Sequence, residues 1–205
     1  MNLLITDRDY NIIRHFETYK FATISQLEKI FFKEQQYSYN IARRRLGEIK
    51  GAGYIKFHRD IETNKNIYMW NNNKIKPPSY HRILVLDILA ELNYIGLNIE
   101  KFDVEKEWIG GKVRSDAFTV FTLNNNEDEK RRYHFFVEID LSNNYHNLKK
   151  YDVLYESGEV QKYLNKAFFP RVLLITDRKY KDVKLKHTKV ISINTKLNMF
   201  SSILI

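Results

Sequence analysis

Residues 71–79, NNNKIKPPS, join an asparagine run, charge and a proline pair, a combination found nowhere else in the chain. Proline removes a backbone donor and biases the residue before it toward extended structure. The stretch therefore reads as a linker, and the chain as two blocks meeting near residue 78 rather than one continuous core. Its 205 residues suffice for one medium domain or two small ones. Charge divides at the same place. Residues 1–79 carry 14 Lys/Arg against 8 Asp/Glu, and residues 80–205 carry 20 against 17. The smaller block thus holds +6 of the net +9, which makes double-stranded nucleic acid the leading partner. Cysteine is absent, excluding disulfides, thiolate metal sites and thiol catalysis, and fitting a reducing compartment. The opening MNLLITDRDYNIIRHF has no basic region followed by an apolar run, and ILVLDILAEL is too short and too charged to span a bilayer. These features predict a cytoplasmic protein with no membrane partner.

In the first block, Thr6 caps a helix over DRDYNIIRHFETYK, where Tyr10, Ile13 and Phe16 recur at helical spacing and Ile12 widens the stripe. Ser25 and Glu28 predict a capping box for a short second helix in FATISQLEKIFF. The third helix lies in YSYNIARRRLGEIKGAGYI. Ser38 is its expected cap, Ile41, Ala42, Leu46 and Ile49 point inward, and Gly51 and Gly53 end it. YIKFHRD and NIYMWNN then read as a hairpin joined by IETNK. Three helices followed by a hairpin predict a winged helix-turn-helix over residues 1–78.

The polar side of the third helix says what such a layout binds. Asn40, Arg43, Arg44 and Lys50 line it, with Arg45 to one flank and Tyr37 and Tyr39 near its start. Arginine pairs bidentately with guanine or phosphate, so three in succession suit a duplex groove. Lys56, His58, Arg59 and Lys65 in the hairpin are placed to meet the neighbouring backbone. A homodimer is what a palindromic site would imply, although no heptad repeat marks a coiled coil.

The second block opens with an apolar helix, YHRILVLDILAELNYIG, followed by three strands: IEKFDVEKEWI, RSDAFTVFTL and RRYHFFVEIDL. A helix capped by Ser142 follows in NNYHNLKKYDVLYESGEVQKYL. Then come an apolar strand, RVLLITD, a charged helical turn and a last strand, KVISIN. The predicted class is α+β, with an αβββαβ unit over residues 79–205. In RYHFFVEIDL, Phe135, Val137 and Ile139 alternate with Phe136, Glu138 and Asp140, so two carboxylates share a face where the strand ends. They must meet a metal, a basic partner or water.

The αβββαβ order resembles the restriction-endonuclease-like, PD-(D/E)xK, nuclease fold. The resemblance implies Asp116 in RSDAF and Glu138 as Mg²⁺ ligands, with Asp140 where that fold has its catalytic lysine. Lys149 or Lys150 would have to replace that amine, and Glu91 would be a further ligand. Read together, ITDRDYNIIRHFETYKFATISQLEKIFF, ARRRLGEIKGAGYI, RSDAF, FFVEIDLSNN and FPRVLLITD resemble, in order, the replication-relaxation family of plasmids, conjugative elements and phages. That resemblance implies a relaxosome accessory acting at an origin in replication, relaxation or mobilisation, beside a relaxase or replication initiator. For the carboxylates it leaves two expectations. Asp116, Glu138 and Asp140 form a remnant metal site, or they pair with Arg114, Lys149 or Lys150 and hold the helix in place. The missing lysine favours a structural or weak-metal role over an endonuclease.

Overall fold

The computed structural model describes residues 4–60, 65–72, 74–126, 129–141, 148–178, 184–197 and 200–204. The class is α+β, with a three-stranded and a five-stranded sheet. Two compact units comprise residues 1–94 and 95–205.

In the first unit, α1 (Asp7–Tyr19) starts at Thr6, whose hydroxyl accepts the Asp9 N–H while the Asp9 carboxylate accepts the Thr6 N–H, a complete capping box. Ile12, Ile13 and Phe16 are buried as expected, but Tyr10 is exposed, and Asp9 turns inward in its place. β1 (Phe21–Thr23) follows, a strand that its sequence had suggested as helix. It leads into α2 (Ile24–Leu27), which continues as a π-helical turn over Glu28–Phe32. The capping box here is Thr23 with Gln26, not Ser25 with Glu28, because the chain stays extended through Thr23. α3 (Ser38–Gly51) begins after Tyr37, which has a left-handed φ of 58°. Ser38 does not cap it; its hydroxyl instead donates to Glu28 at 2.5 Å. β2 (Ile55–Arg59) and β3 (Asn66–Trp70) form the expected hairpin, and β1 adds to it in the order β1-β3-β2. Most of the connecting IETNK lies outside the described residues. Phe16, Leu27, Phe32, Leu46 and Ile49 close one core beneath these elements.

The unit does not end near residue 78. α4 (Tyr80–Tyr94) belongs to it, because polar groups buried on α2 are satisfied there. The Gln26 amide donates to the Ile83 carbonyl at 2.9 Å and to the Asp87 carboxylate at 2.6 Å, and Lys29 pairs with Glu91. The boundary at residues 94 and 95 also evens out the charge: 15 Lys/Arg against 10 Asp/Glu in the first unit, 19 against 15 in the second.

The second unit is built on β4 (Asn98–Trp108), β5 (Val113–Asn126), β6 (Glu129–Ile139), β7 (Arg171–Ile175) and β8 (Val190–Ile193), in that spatial order. The first three run antiparallel and the last two parallel to β6. Between β6 and β7 lie α5 (Lys150–Glu156) and α6 (Glu159–Leu164), divided at Gly158, whose φ is +69°. One continuous helix had been expected there, and the position of its cap, Ser142, lies outside the described residues. Phe118 and Phe136, from adjacent strands, pack with Trp108, Tyr151, Leu154 and Val160 on one sheet face. Phe121, Tyr133 and Phe135 stack on the other.

Candidate functional site

Burying Ala42, Leu46 and Ile49 turns the opposite side of α3 to solvent. Tyr39, Asn40, Arg43, Arg44 and Lys50 are all exposed there. Helical geometry then splits them. Asn40, Arg43 and Lys50 follow one another at three- and seven-residue steps along a single stripe. This stripe borders the hairpin: the Lys50 ammonium stands 5.9 Å from the centroid of Phe57, and Phe57 is exposed. Phe57 in turn meets Tyr68 edge-on at 5.6 Å. Burial raises the pKa of the Tyr68 hydroxyl, with Arg43 opposing that shift and Tyr39 adding to it. Arg44 lies on the other flank, in a cavity beside the start of α1 lined also by Thr6, Arg8 and Phe32. Among the described residues no carboxylate pairs with Arg43, Arg44 or Lys50, so their positive charge is available to a partner.

The other expected contacts are differently engaged. Arg45 is committed to the fold: its guanidinium donates to Asp9, Glu48 and the Leu4 carbonyl. Burial alone would raise the Asp9 pKa, but bonds from Arg45 and Thr6 prevail and hold it at about 2. Lys65 lies 3.6 Å from Asp87 and over the Tyr80 ring, and Lys56 donates to the Asn72 carbonyl at 2.8 Å. His58 is half-buried and Arg59 exposed on β2. Phe57 was missed because a strand phenylalanine looks like core from sequence; its exposure is decided by the turn of the hairpin.

In the second unit, Ala117 pairs with Val137 across β5 and β6, and one residue further on Asp116 faces Glu138. Both carboxylates project from the face that α5 and α6 cover, in line with Phe118 and Phe136. Glu138 is only 8% exposed. The Lys150 ammonium, from the first turn of α5, reaches its Oε1 at 2.8 Å and also donates to the Arg114 carbonyl at 2.6 Å. The Tyr151 hydroxyl donates to the same Oε1. Burial pushes the Glu138 pKa up, with Asp116 adding to the rise and Lys150 and Tyr151 opposing it. An Asp116 oxygen accepts the Ile139 N–H at 2.8 Å. Asp140, half-buried, follows the last residue of β6, and its N–H donates to the Ile175 carbonyl. Lys149 is exposed, and Glu91 is taken up by Lys29 within the first unit.

Of the residues expected to gather here, the fold joins Asp116, Glu138 and Lys150. Tyr151 was not foreseen; only its place after Lys150 on the first turn of α5 hinted at it. Among the described residues no group of three or more His, Asp or Glu side chains is placed to hold a metal ion. The donor set does not fit Mg²⁺, which asks for several oxygen ligands around one point. On Glu138 the charge that a divalent cation would neutralise meets an ammonium instead.

Comparison with family models, with curated proteins and with solved structures gives no match to this chain. Among the described residues no helix is long and apolar enough to cross a membrane.

Proposed function

We propose that the chain is a sequence-specific double-stranded DNA-binding accessory protein of a mobile genetic element. It acts at an origin in plasmid replication, relaxation or mobilisation. Its first unit serves as a winged helix, α3 reading the major groove and the β2–β3 hairpin meeting the backbone beside it. The observation that carries this reading is the stripe Asn40, Arg43 and Lys50, exposed and without carboxylate partners next to Tyr39 and Phe57. Arginine offers the bidentate contacts that distinguish guanine, while lysine supplies phosphate contacts. The similarity to the replication-relaxation family, carried by the ordered stretches above, supplies the biological setting.

The second unit is a nuclease-like domain turned to structural use. Lys150 and Tyr151 spend their donors on Glu138 and so pin α5 against β5 and β6. An endonuclease reading draws on the same three residues, Asp116, Glu138 and Lys150. It needs a metal for which the donor set does not fit.

Footprinting on the DNA around its own coding sequence should reveal a protected site. Replacing Arg43 and Arg44 together with alanine should abolish specific binding in a mobility-shift titration while leaving the melting temperature unchanged. An unaltered dissociation constant would overturn the assignment of α3. Wild-type protein should leave supercoiled plasmid intact with Mg²⁺ or Mn²⁺. Nicking that disappears in Asp116→Ala would replace the accessory reading with the enzymatic one.

A further inference from the structure

A second site lies at the other end of the five-stranded sheet. Where β6 and β7 begin, a cavity of about 420 Å³ opens between the strands and the 168–170 segment. That volume is in the range of small-ligand pockets. Arg131, Arg132 and Arg171 line it, together with His134 and Phe168. Lys166 stands over the Phe168 ring at 5.7 Å. The nearby carboxylate among the described residues is Glu100, which pairs with Arg132, so the rim keeps an excess of positive charge.

His134 gives the cavity its second character. It is 6% exposed, and its Nε2 is buried with no hydrogen-bond partner. A buried polar atom without a partner costs about 1 to 3 kcal/mol, so a fold that keeps one has left it for something else. The imidazole meets Phe168 edge-on at 4.6 Å, and Phe168 shows 40% of its surface to solvent. One half of the cavity is therefore an aromatic platform with an unused ring nitrogen. The other half is a set of guanidinium groups.

We propose that this cavity binds a nucleoside phosphate, its base stacked on Phe168 and hydrogen-bonded to His134 Nε2, its phosphate held by Arg131 and Arg171. Guanidinium forks match phosphate oxygens in pairs, and ring stacking tolerates any base. The same chemistry is presented by a free nucleotide and by the 5′-phosphorylated end of a DNA strand. The site is separate from α3, and it does not depend on the reading of the first unit.

The test is calorimetric titration of the full chain with 5′-AMP, adenosine and inorganic phosphate. 5′-AMP should bind with one-to-one stoichiometry, and adenosine and phosphate at least tenfold more weakly. Arg171→Gln and His134→Ala should each weaken 5′-AMP at least tenfold. Arg131→Gln, at an exposed position that leaves the core untouched, should do so even if His134→Ala fails to fold. Arg43→Ala should change nothing, which separates this site from α3. Displacement of 5′-AMP by a 5′-phosphorylated hexanucleotide, but not by its 5′-hydroxyl form, would assign the ligand to a strand end. Failure of both to displace it would assign it to free nucleotide. The proposal falls if millimolar 5′-AMP gives no binding heat, if phosphate alone binds as tightly, or if Arg131→Gln and Arg171→Gln leave the affinity intact.

Discussion

Lys150 and Arg45 are both basic residues whose charge is consumed inside the fold, and each predicts a specific failure. Removing one member of a buried ion pair strands the other, at a cost of about 3 to 5 kcal/mol. Lys150→Met should therefore lower stability by that order, as read from urea unfolding, and the loss should deepen as pH rises. The sign follows from Glu138: its folded pKa is already raised by burial, and without Lys150 it rises further. The folded state then binds the extra proton, so stability falls as pH climbs through the folded pKa. Glu138→Gln in the same chain should restore much of the loss and flatten the pH dependence. His15 gives the opposite trend. It is buried against Tyr19 and Phe31, and burial depresses its pKa from 6.5 to about 4. The unfolded chain takes up that proton first, so stability holds above pH 6.5 and declines as pH falls toward 4, by about 3 kcal/mol in all. His15→Phe should remove that part of the acid sensitivity in melting curves recorded from pH 7 to pH 4.

Elements are joined here by a few residues whose backbone or side chain admits little substitution. Gly158 divides α5 from α6 with φ +69°, a region costing other residues about 1 to 2 kcal/mol, and no atom lies within 4 Å of where a Cβ would stand. Gly158→Ala should lower unfolding free energy by about 1 kcal/mol through backbone strain alone. A loss well above 2 kcal/mol would mean that the break between the helices matters for packing. Gln26 is the corresponding joint in the first unit. It caps α2 with one end and bonds α4 with the other, while 1% exposed. Gln26→Leu fills the space but leaves the Thr23 N–H and the Ile83 carbonyl without their partner. Its expected cost is about 2 to 4 kcal/mol.

At the scale of the molecule, α4 decides where the first unit ends. A fragment of residues 1–78 keeps the expected three helices and hairpin but loses the acceptors for Gln26 and the carboxylate for Lys29. A fragment of residues 1–94 keeps both. The longer fragment should melt cooperatively and at least 5 °C higher; equal melting temperatures would show α4 to be dispensable. Salt dependence belongs to this scale too. Each lysine or arginine contact to phosphate adds about 0.9 to the slope of log affinity against log salt. Lys50→Ala should lower the slope by about 1 and weaken all duplexes alike. Arg45→Ala should instead act by destabilising the fold, since Arg45 is bound to Asp9 and Glu48.

Local patterns were enough to place most elements. Thr6 with Asp9 marked the start of α1, the alternation in residues 132–141 marked β6, and the apolar periodicity of α3 showed which side faces out, because each depends on neighbours close in the chain. The Asp116–Glu138 pairing was also legible, from strand order and the shared period of two. Contacts between distant residues were not. Whether Arg43 or Arg45 stays free depends on Asp9, 36 residues before Arg45, and the fate of Glu138 on a lysine from the next helix. The linker at residues 71–79 was visible as a break in regular structure, but hydrogen bonds from Gln26 placed the end of the unit beyond it. The cavity at His134 and the exposure of Phe57 have no local signature: burial is a property of what the rest of the chain covers, and only the folded chain settles it.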